Sequence, residues 1–207
     1  MCALKIFFTI TFTTLILAFA FLFSSCSVFN VLKNISQLKY KLGTIGNFQL
    51  NGITITNKSK LSDFGPTDLL KITGAVANKK LPVTFILNVE AFNPNQREGL
   101  NSASVSLTNF PWRLIIDDKE TISGNISVPV TVPGGNQTTI IPLQMGLDLF
   151  SFFGDRGYER LINLALKLGG QGGSSTDVKL VAQPTISTEY GKLTYPGELT
   201  IISKEFR

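Results

Sequence analysis

Few side chains in this chain could carry out chemistry, because histidine is absent. Histidine is the usual general base near neutral pH, the partner of nucleophilic Ser and Cys, and the commonest zinc ligand. A serine–lysine pair would remain as a nucleophile, but no Ser-x-x-Lys sequence lies where a strand is expected to pass into a helix. The sequence therefore predicts a protein that is not an enzyme and that carries no cofactor.

The densest group of carboxylates is formed by Asp117, Asp118 and Glu120. Several carboxylate oxygens converging on one point are what a calcium ion requires. Lys119 lies in the middle of this group, however, and charged residues at the tip of a hairpin are usually solvated. We interpret the group as a hairpin turn and predict no metal site.

A glycine-rich run occupies residues 169–175. A phosphate-binding loop needs a lysine and a helix directly after its glycines, and this run has neither. Its composition is typical of a flexible linker.

Three aromatic residues, Phe92, Phe110 and Trp112, could line a groove for an apolar ligand. Aromatic side chains at strand positions more often belong to the core, where they bury a large apolar area. Both interpretations stay open at the level of the sequence.

The best-founded chemical site is Cys26. Lys5 is followed by an uncharged and largely apolar run over residues 6–32, within which Ser24 and Ser25 directly precede the cysteine. This arrangement resembles the lipobox of bacterial lipoprotein signal peptides, although Phe23 stands where leucine is usual. The resemblance implies cleavage between Ser25 and Cys26, acylation of the Cys26 sulfur with a lipid that contains fatty acids such as palmitate, and a mature chain that begins at Cys26.

The alternative is an uncleaved transmembrane anchor, because an uncharged run of this length could span a bilayer. The very short basic region before the run, and the position of Ser24, Ser25 and Cys26, favour cleavage instead. Both alternatives tether the domain to a membrane.

These boundaries divide the chain into a signal peptide (residues 1–25), a lipidated tether (26–37) and a single domain (38–207). Cys2 lies in the signal peptide, so the mature domain has no cysteine pair for a disulfide bond. The net charge of +5 falls by one with the loss of Lys5, and the basic residues are scattered. A nucleic-acid partner would require a basic stripe, so none is predicted.

Period-two alternation of apolar residues predicts a mainly β fold. The best example begins at Pro82, where the residues Val83, Phe85, Leu87, Val89 and Ala91 share one face. We predict it to be the first of four strands in a central meander, in the middle of a sheet. Strands are predicted at residues 38–42, 48–56, 82–91, 103–116 with an interruption at Pro111, 121–132, 139–147, 178–186 and 192–201.

Helical spacing of apolar residues predicts a helix over residues 155–168, with Asp155 as N-cap and Gly169 at its end. A shorter helix is expected over residues 67–78, with Thr67 as N-cap. Pro184 and Pro196, inside the last two predicted strands, indicate an edge or a bulge. The fold class predicted from these elements is an antiparallel β-sandwich with one or two helices packed on it.

The central part of the chain resembles the type 2 late-embryogenesis-abundant domain, also called the water-stress and hypersensitive-response domain. The resemblance rests on an alternating strand that ends in Asn93-Pro94-Asn95, a paired strand, the charged turn at residues 117–120 and a strand containing Gly124. Lipid-anchored bacterial versions share the cysteine, the late helix and a closing Tyr-Pro-Gly, here at residues 195–197. The resemblance implies an immunoglobulin- or fibronectin-like sandwich without catalytic residues, associated with dehydration or envelope stress.

The expected function is that of a lipid-anchored protein of the bacterial cell envelope with a protective or partner-binding role. No acidic residue directly follows Cys26, which favours an outer-membrane anchor facing the periplasm over export to the cell surface. The membrane is the one partner predicted, through the lipid, and the protein or lipid partner is unknown. The alternative is a periplasmic carrier that holds a lipid or another apolar molecule, which would require a large apolar cavity.

Overall fold

The computed structural model describes residues 38–94, 104–135, 137–170, 178–188 and 191–203. The predicted signal peptide, the tether and most of the predicted linker at 169–175 lie outside these residues. The strands in chain order are β1 (Lys39–Leu50), β2 (Ile53–Thr54), β3 (Pro82–Phe92), β4 (Val105–Asn109), β5 (Trp112–Ile116), β6 (Lys119–Gly124), β7 (Val130–Val132), β8 (Thr138–Asp148), β9 (Val178–Ala182), β10 (Thr185–Thr188), β11 (Gly191–Thr194) and β12 (Leu199–Ile201).

The first sheet has the strand order β2-β1-β3-β8, and all its pairings are antiparallel. The predicted alternation of β3 is confirmed, since Val83, Phe85, Leu87, Val89 and Ala91 are all buried. On one side β3 pairs with β8 in a register without a shift, and on the other it pairs with β1. The prediction that β3 lies in the middle of a sheet is confirmed.

The prediction of a central meander starting at β3 is wrong. The next strand, β4, pairs with β7 and β10 in a different sheet. The strands predicted at residues 38–42 and 48–56 also differ from the structure, which has one long strand β1 followed by the short β2. Asn51 and Gly52 form the turn between them, and both have positive φ.

The second layer consists of two four-stranded sheets, β11-β10-β4-β7 and β12-β9-β5-β6. When the two sheets are compared strand by strand, the first, second, third and fourth strand of one sheet are each consecutive in the chain with the strand at the same position in the other. The four pairs are β11 and β12, β9 and β10, β4 and β5, and β6 and β7. Each of these four junctions contains a proline, and we call this set the proline line: Pro111, Pro129, Pro184 and Pro196. Proline has no N–H to donate to a sheet ladder, so the layer is broken along this line.

Three of the predicted strands are wrong, because each crosses the proline line and is divided there into two strands. Residues 121–132 form two strands with an irregular segment between them, and Val128 in that segment is 67% exposed. The strands predicted at 178–186 and 192–201 are likewise divided in two. The halves β11 and β12 lie at sheet edges, as Pro196 indicated, but β9 and β10 each have neighbours on both sides, so Pro184 marks a break inside the layer.

Side chains and backbone groups at the break form hydrogen bonds that replace the interrupted ladder. The Oδ1 atom of Asn125 accepts a hydrogen bond from the backbone N–H of Phe110 at 2.7 Å. The Nε2 atom of Gln183 donates to the carbonyl oxygen of Tyr195 at 3.1 Å, and the Tyr195 N–H donates to the Pro184 carbonyl oxygen at 2.8 Å. Since unpaired buried backbone groups are costly, these bonds stabilise the broken layer.

Three α-helices lie within the described residues: α1 (Pro66–Ala77), α2 (Leu149–Phe153) and α3 (Tyr158–Gly169). The shorter predicted helix is confirmed as α1, but its N-cap is Gly65 rather than Thr67, because Pro66 occupies the first helical position. The five-residue α2 was not predicted as a helix. Asp148 caps it by accepting a hydrogen bond from the Phe150 N–H at 3.0 Å.

The late helix is confirmed as α3, with corrected ends. Asp155 lies in a 3₁₀ turn before it, so the N-cap is Gly157, whose φ of 82° suits glycine. Gly169 is the last helical residue, and a Cβ atom there would lie 1.9 Å from Cγ of Phe48 on β1. The helix can therefore lie close to the first sheet only because residue 169 has no side chain.

The close approach of α3 to β1 predicts opposite effects for two glycine substitutions in helices. Gly169→Ala should lower the free energy of unfolding by about 1–3 kcal/mol or more, because the new methyl group overlaps the Phe48 ring. Gly74→Ala in α1 should raise it by about 0.5–1 kcal/mol, because the added Cβ meets no described atom within 4 Å beyond its chain neighbours and the backbone of its own helix, and alanine favours a helix. Urea denaturation of both variants measures the two changes. Equal effects of the two substitutions would contradict this packing of α3.

Candidate functional site

The acidic turn at Asp117 and Asp118 is a two-residue hairpin loop between β5 and β6, in which both residues have positive φ. Its carboxylates and that of Glu120 are each paired with a different cation: Asp117 with Arg156, Asp118 with Lys179 at 2.6 Å, and Glu120 with Arg113 at 2.9 Å. The hydrogen bond and the charge of Lys179 lower the pKa of Asp118. Within the described residues no group of three or more potential metal ligands is found. The carboxylates therefore serve ion pairs around the hairpin.

Asn93, the first residue of the Asn-Pro-Asn turn, is fully buried. Its Nδ2 atom donates to the carbonyl oxygen of Val132 at 3.4 Å, and its backbone forms a parallel bridge to Gly134. Asn93 thus connects the end of β3 in the first sheet to the end of β7 in the second layer. Pro94 follows it, and Asn95 lies outside the described residues.

The predicted cleavage and lipidation site, Ser25 and Cys26, lies outside the described residues, so its assignment stays a prediction. The described part of the chain begins at Leu38, which is buried. None of the helices in that part is both long and apolar enough to cross a membrane.

The three aromatic residues predicted to line a groove do not share one surface. Phe110 is fully buried, with its ring centroid 5.5 Å from that of Tyr40. Phe92 is half-buried and lies on the face of β3 opposite the buried Ala91. Trp112 is 5% exposed and lines a cleft at the edge of the sandwich.

This cleft lies between β8, the edge strand of the first sheet, and residues 125–130, which include the break between β6 and β7. We call it the β8 cleft. Its volume is about 420 Å³, and most of its surface is apolar. Its apolar lining includes Trp112, Ile126, Val128, Val130, Ile141 and Leu143.

Ile126, Val128 and Val130 were not predicted to line a cleft. They alternate as in a strand, and that pattern places them on one face of a continuous strand. The signal that could have placed them was Pro129, since a proline inside an apparent strand indicates a break.

The indole ring of Trp112 packs against Gly124 at the start of this break. A Cβ atom on Gly124 would lie 2.4 Å from Cζ2 and 2.9 Å from Cε2 of the indole. The adjoining Nε1 atom is buried and has no hydrogen-bond partner among the described residues. A buried donor left unpaired in this way costs about 1–3 kcal/mol.

The space between the sheets is filled by side chains. The rings of Phe48 and Phe85 stack with centroids 5.3 Å apart, and Leu50, Leu87 and Leu107 are fully buried around the same core. The β8 cleft opens at the edge of the sandwich and does not enclose a volume between the sheets. This packing does not favour a carrier that surrounds its ligand.

The buried hydroxyl of Tyr40 is a second polar group without a hydrogen-bond partner in the part of the chain that the structure describes. Tyr40 is 1% exposed. Burial, with a smaller contribution from Tyr195, strongly raises the pKa of its hydroxyl. The folded protein therefore keeps this hydroxyl neutral at pH values where a solvated tyrosine would ionise.

No protein-family model matches this chain, and no curated protein matches it. Among solved structures, the chain is similar to the crystal structure of a protein from Archaeoglobus fulgidus, with 9% identity, a TM-score of 0.33, and coverage of 81% of this chain and 94% of that one. It is also similar to the solution structure of a candidate late embryogenesis abundant protein (16% identity, TM-score 0.36, coverage 84% and 76%) and to that of an Arabidopsis thaliana protein (14%, 0.33, 81% and 83%). Likeness at these TM-scores supports no conclusion about fold or function.

The unpaired hydroxyl of Tyr40 predicts that Tyr40→Phe is tolerated and changes the response to alkaline pH. At pH 7 the free energy of unfolding should stay equal or rise by up to about 1 kcal/mol, because an unsatisfied polar group is removed and the ring remains. Above pH 10, the unfolded wild-type chain loses the Tyr40 proton while the folded chain keeps it, so the wild type loses stability as pH rises. Tyr40→Phe should lack that part of the loss in urea titrations at pH 7 to 11. If the free energy of unfolding fell equally with pH in both proteins, the loss would come from a group other than Tyr40.

Proposed function

We propose that this chain is a non-enzymatic, lipid-anchored protein of the bacterial cell envelope, of the type 2 late-embryogenesis-abundant kind. Cys26 carries the lipid, and the domain that follows has a protective or partner-binding role. The anchor lies in the outer membrane, and the domain faces the periplasm.

The observation that carries the proposal is where the fold begins relative to Cys26. Strand β1 starts at Lys39, and Leu38, Tyr40 and Leu42 are already part of the buried core. β1 pairs with β3 along most of its length and with β2 at Gln49 and Leu50, so it is part of the first sheet from its first residues onward. The twelve residues 26–37 could extend about 40 Å at 3.3–3.6 Å per residue, which is enough to hold the domain clear of a membrane surface.

Two observations support a non-enzymatic role: histidine is absent from the sequence, and the pKa values of two carboxylates are lowered. The pKa values of Asp63 and Asp118 are lowered, chiefly by a backbone hydrogen bond from Ser59 and by the side chain of Lys179, respectively. A general acid that works near neutral pH would instead need a raised carboxyl pKa. Both carboxylates stay ionised and serve local structure.

The assignment to the late-embryogenesis-abundant kind is supported by the sequence pattern and by the role of Asn93 in the fold. Asn93 joins the two layers through its amide and its backbone. The turn on which the resemblance rests therefore has a structural role, because its first residue links the two layers. A domain of this kind would act through its surface and a partner, not through a reaction.

Acylation at Cys26 is tested by metabolic labelling with radiolabelled palmitate. The chain has two cysteines, Cys2 and Cys26, so Cys2→Ala is a matched control. The wild type and Cys2→Ala should incorporate label and partition into the detergent phase, whereas Cys26→Ala should incorporate none. Continued labelling of Cys26→Ala would contradict the lipid anchor. An unlabelled wild type that stays in the membrane would instead favour the uncleaved transmembrane anchor.

The protective role is tested by survival after drying or an osmotic upshift. A strain that lacks the protein should survive less well than the wild type, and a plasmid copy of the wild-type gene should restore survival. A copy with Cys26→Ala should restore less, because the domain would no longer be held at the membrane. Equal survival of the deletion strain and the wild type would contradict a role in these stresses.

A further inference from the structure

We propose that helix α1 docks on the surface of a membrane that contains anionic phospholipids. The outward side of the helix lies against the lipid, and the lysines beside it pair with lipid phosphate groups. This inference rests on the proposed anchor at Cys26, which keeps the domain beside a membrane.

The outward side of α1 is uncharged although it faces solvent. Ile72 is the one buried residue of the helix, and the side opposite to it is exposed. Leu70 lies in the middle of that side and, at 73%, is the most exposed of the large apolar side chains that the structure describes. A surface helix of a globular protein normally carries charged or polar residues there. We call this side the α1 face, and it consists of Pro66, Leu70, Thr73, Gly74 and Ala77.

The α1 face contains few groups that would resist the loss of water. The Oγ1 atom of Thr73 donates to the carbonyl oxygen of Leu69 at 2.8 Å, so this hydroxyl is already bonded within the helix. Gly74 and Ala77 have no polar side chain. Covering this face with an apolar medium would therefore remove Leu70 from water without burying an unpaired side-chain polar group.

Three lysines lie beside the α1 face: Lys71 at its margin, and Lys79 and Lys80 directly after the helix. All three are exposed, and none has an ion pair within the part of the chain that the structure describes. The N–H groups of Lys79 and Lys80 donate to the carbonyl oxygens of Val76 and Ala75, each at 2.9 Å, which fixes these lysines at the helix end. Lysines around an apolar helix face are typical of helices that lie on anionic membranes.

A second copy of this chain fits the α1 face less well. In a symmetric dimer the face would meet its own equivalent, and the lysines of the two copies would lie close together. Asp68, the one acidic residue of α1, is half-buried and its carboxylate lies 4.0 Å from the Nζ atom of Lys58. It is therefore poorly placed to neutralise the lysines of another copy. An acidic protein is the other class of partner, and the test below separates it from a membrane.

The tether is long enough for α1 to reach the membrane that holds Cys26. Pro82, which follows α1, pairs with Asp148 at one end of the first sheet, whereas Lys39, which follows the tether, pairs with Phe92 at the other end. The eleven residues of β3 between these ends span about 36 Å at 3.2–3.4 Å per residue. Residues 26–37 can extend about 40 Å. Since the anchor keeps α1 close to the bilayer, a weak affinity of α1 for lipid is sufficient for docking.

The test uses the full chain reconstituted in vesicles of brominated phosphatidylcholine, with or without phosphatidylglycerol. Bromine atoms on the acyl chains quench a tryptophan that enters the bilayer. Leu70→Trp places such a reporter on the α1 face, and Val128→Trp places one at an apolar residue of similar exposure outside α1, 67% against 73%. The wild type, in which Trp112 is the single tryptophan, gives the background. Leu70→Trp should be quenched above this background, more strongly when phosphatidylglycerol is present, and Val128→Trp should not.

The contribution of charge is tested by Lys79→Gln and Lys80→Gln, each combined with Leu70→Trp. One lysine near an anionic surface changes the ratio of docked to undocked protein about fivefold. Each substitution should lower that ratio, measured by the quenching at position 70, by about this factor. Lys192→Gln removes an exposed lysine of β11 in the second layer and should leave the ratio unchanged.

Three results would overturn the proposal: an unquenched Leu70→Trp protein in vesicles with phosphatidylglycerol, equal quenching of Val128→Trp, or an equal decrease with Lys192→Gln. The first would favour an acidic protein as the partner of the α1 face.

Sedimentation of the vesicles reports on the anchor separately. A chain that sediments with the vesicles but is not quenched at position 70 contradicts the docking of α1 and leaves the anchor intact. A chain that stays in solution contradicts the anchor, and the docking that rests on it.

Discussion

The lack of an N–H group on proline is the constraint on which the rest of this structure depends. Pro111, Pro129, Pro184 and Pro196 lie in the four junctions that connect the two sheets of the second layer. A sheet ladder cannot pass through these positions, so the layer is divided into two short sheets with the same strand order. The first sheet has no such line, and β3 and β8 pair there over eleven residues without a shift.

The break along the proline line has one consequence inside the second layer and another at its edge, between β6 and β7. Within the layer, the bond from Gln183 to Tyr195 holds the inner and outer strands together across the gap. At the other side, the chain leaves the sheet after Gly124 and returns at Val130, and the intervening segment forms a wall of the β8 cleft. Asn125 fixes the start of that segment, because its Oδ1 atom accepts hydrogen bonds from the N–H groups of both Phe110 and Ile126. The β8 cleft is therefore a consequence of the same proline line.

The sequence predicted the features that depend on local periodicity. The alternation in β3 and the apolar spacing of α3 identified a mainly β sandwich with a late helix, because a side chain's face follows directly from its position in such an element. The ends of the helices were harder to predict. Pro66 moves the start of α1 to Gly65, and the turn containing Asp155 moves the start of α3 to Gly157.

The cleft could not be predicted in the same way, since it depends on which strands are neighbours. Val128 alternates with Val130 as it would in a continuous strand, but it is exposed because the chain lies outside the sheet between Gly124 and Val130. The groove predicted from Phe92, Phe110 and Trp112 combined residues that are near in sequence, but β3 and β5 belong to different layers. Of these three residues, only Trp112 lines the cleft.

Collisional quenching of Trp112 fluorescence by acrylamide tests most directly whether the break at Asn125 shapes the cleft. Asn125→Ala should raise the quenching constant, because residues 126–129 lose their anchor and expose the indole. Asn78→Ala removes an amide bond of similar length, from Asn78 Nδ2 to the Gly74 carbonyl oxygen at the end of α1, and should leave quenching at the wild-type level. Unchanged quenching in a folded Asn125→Ala protein, or an equal rise in Asn78→Ala, would contradict the account.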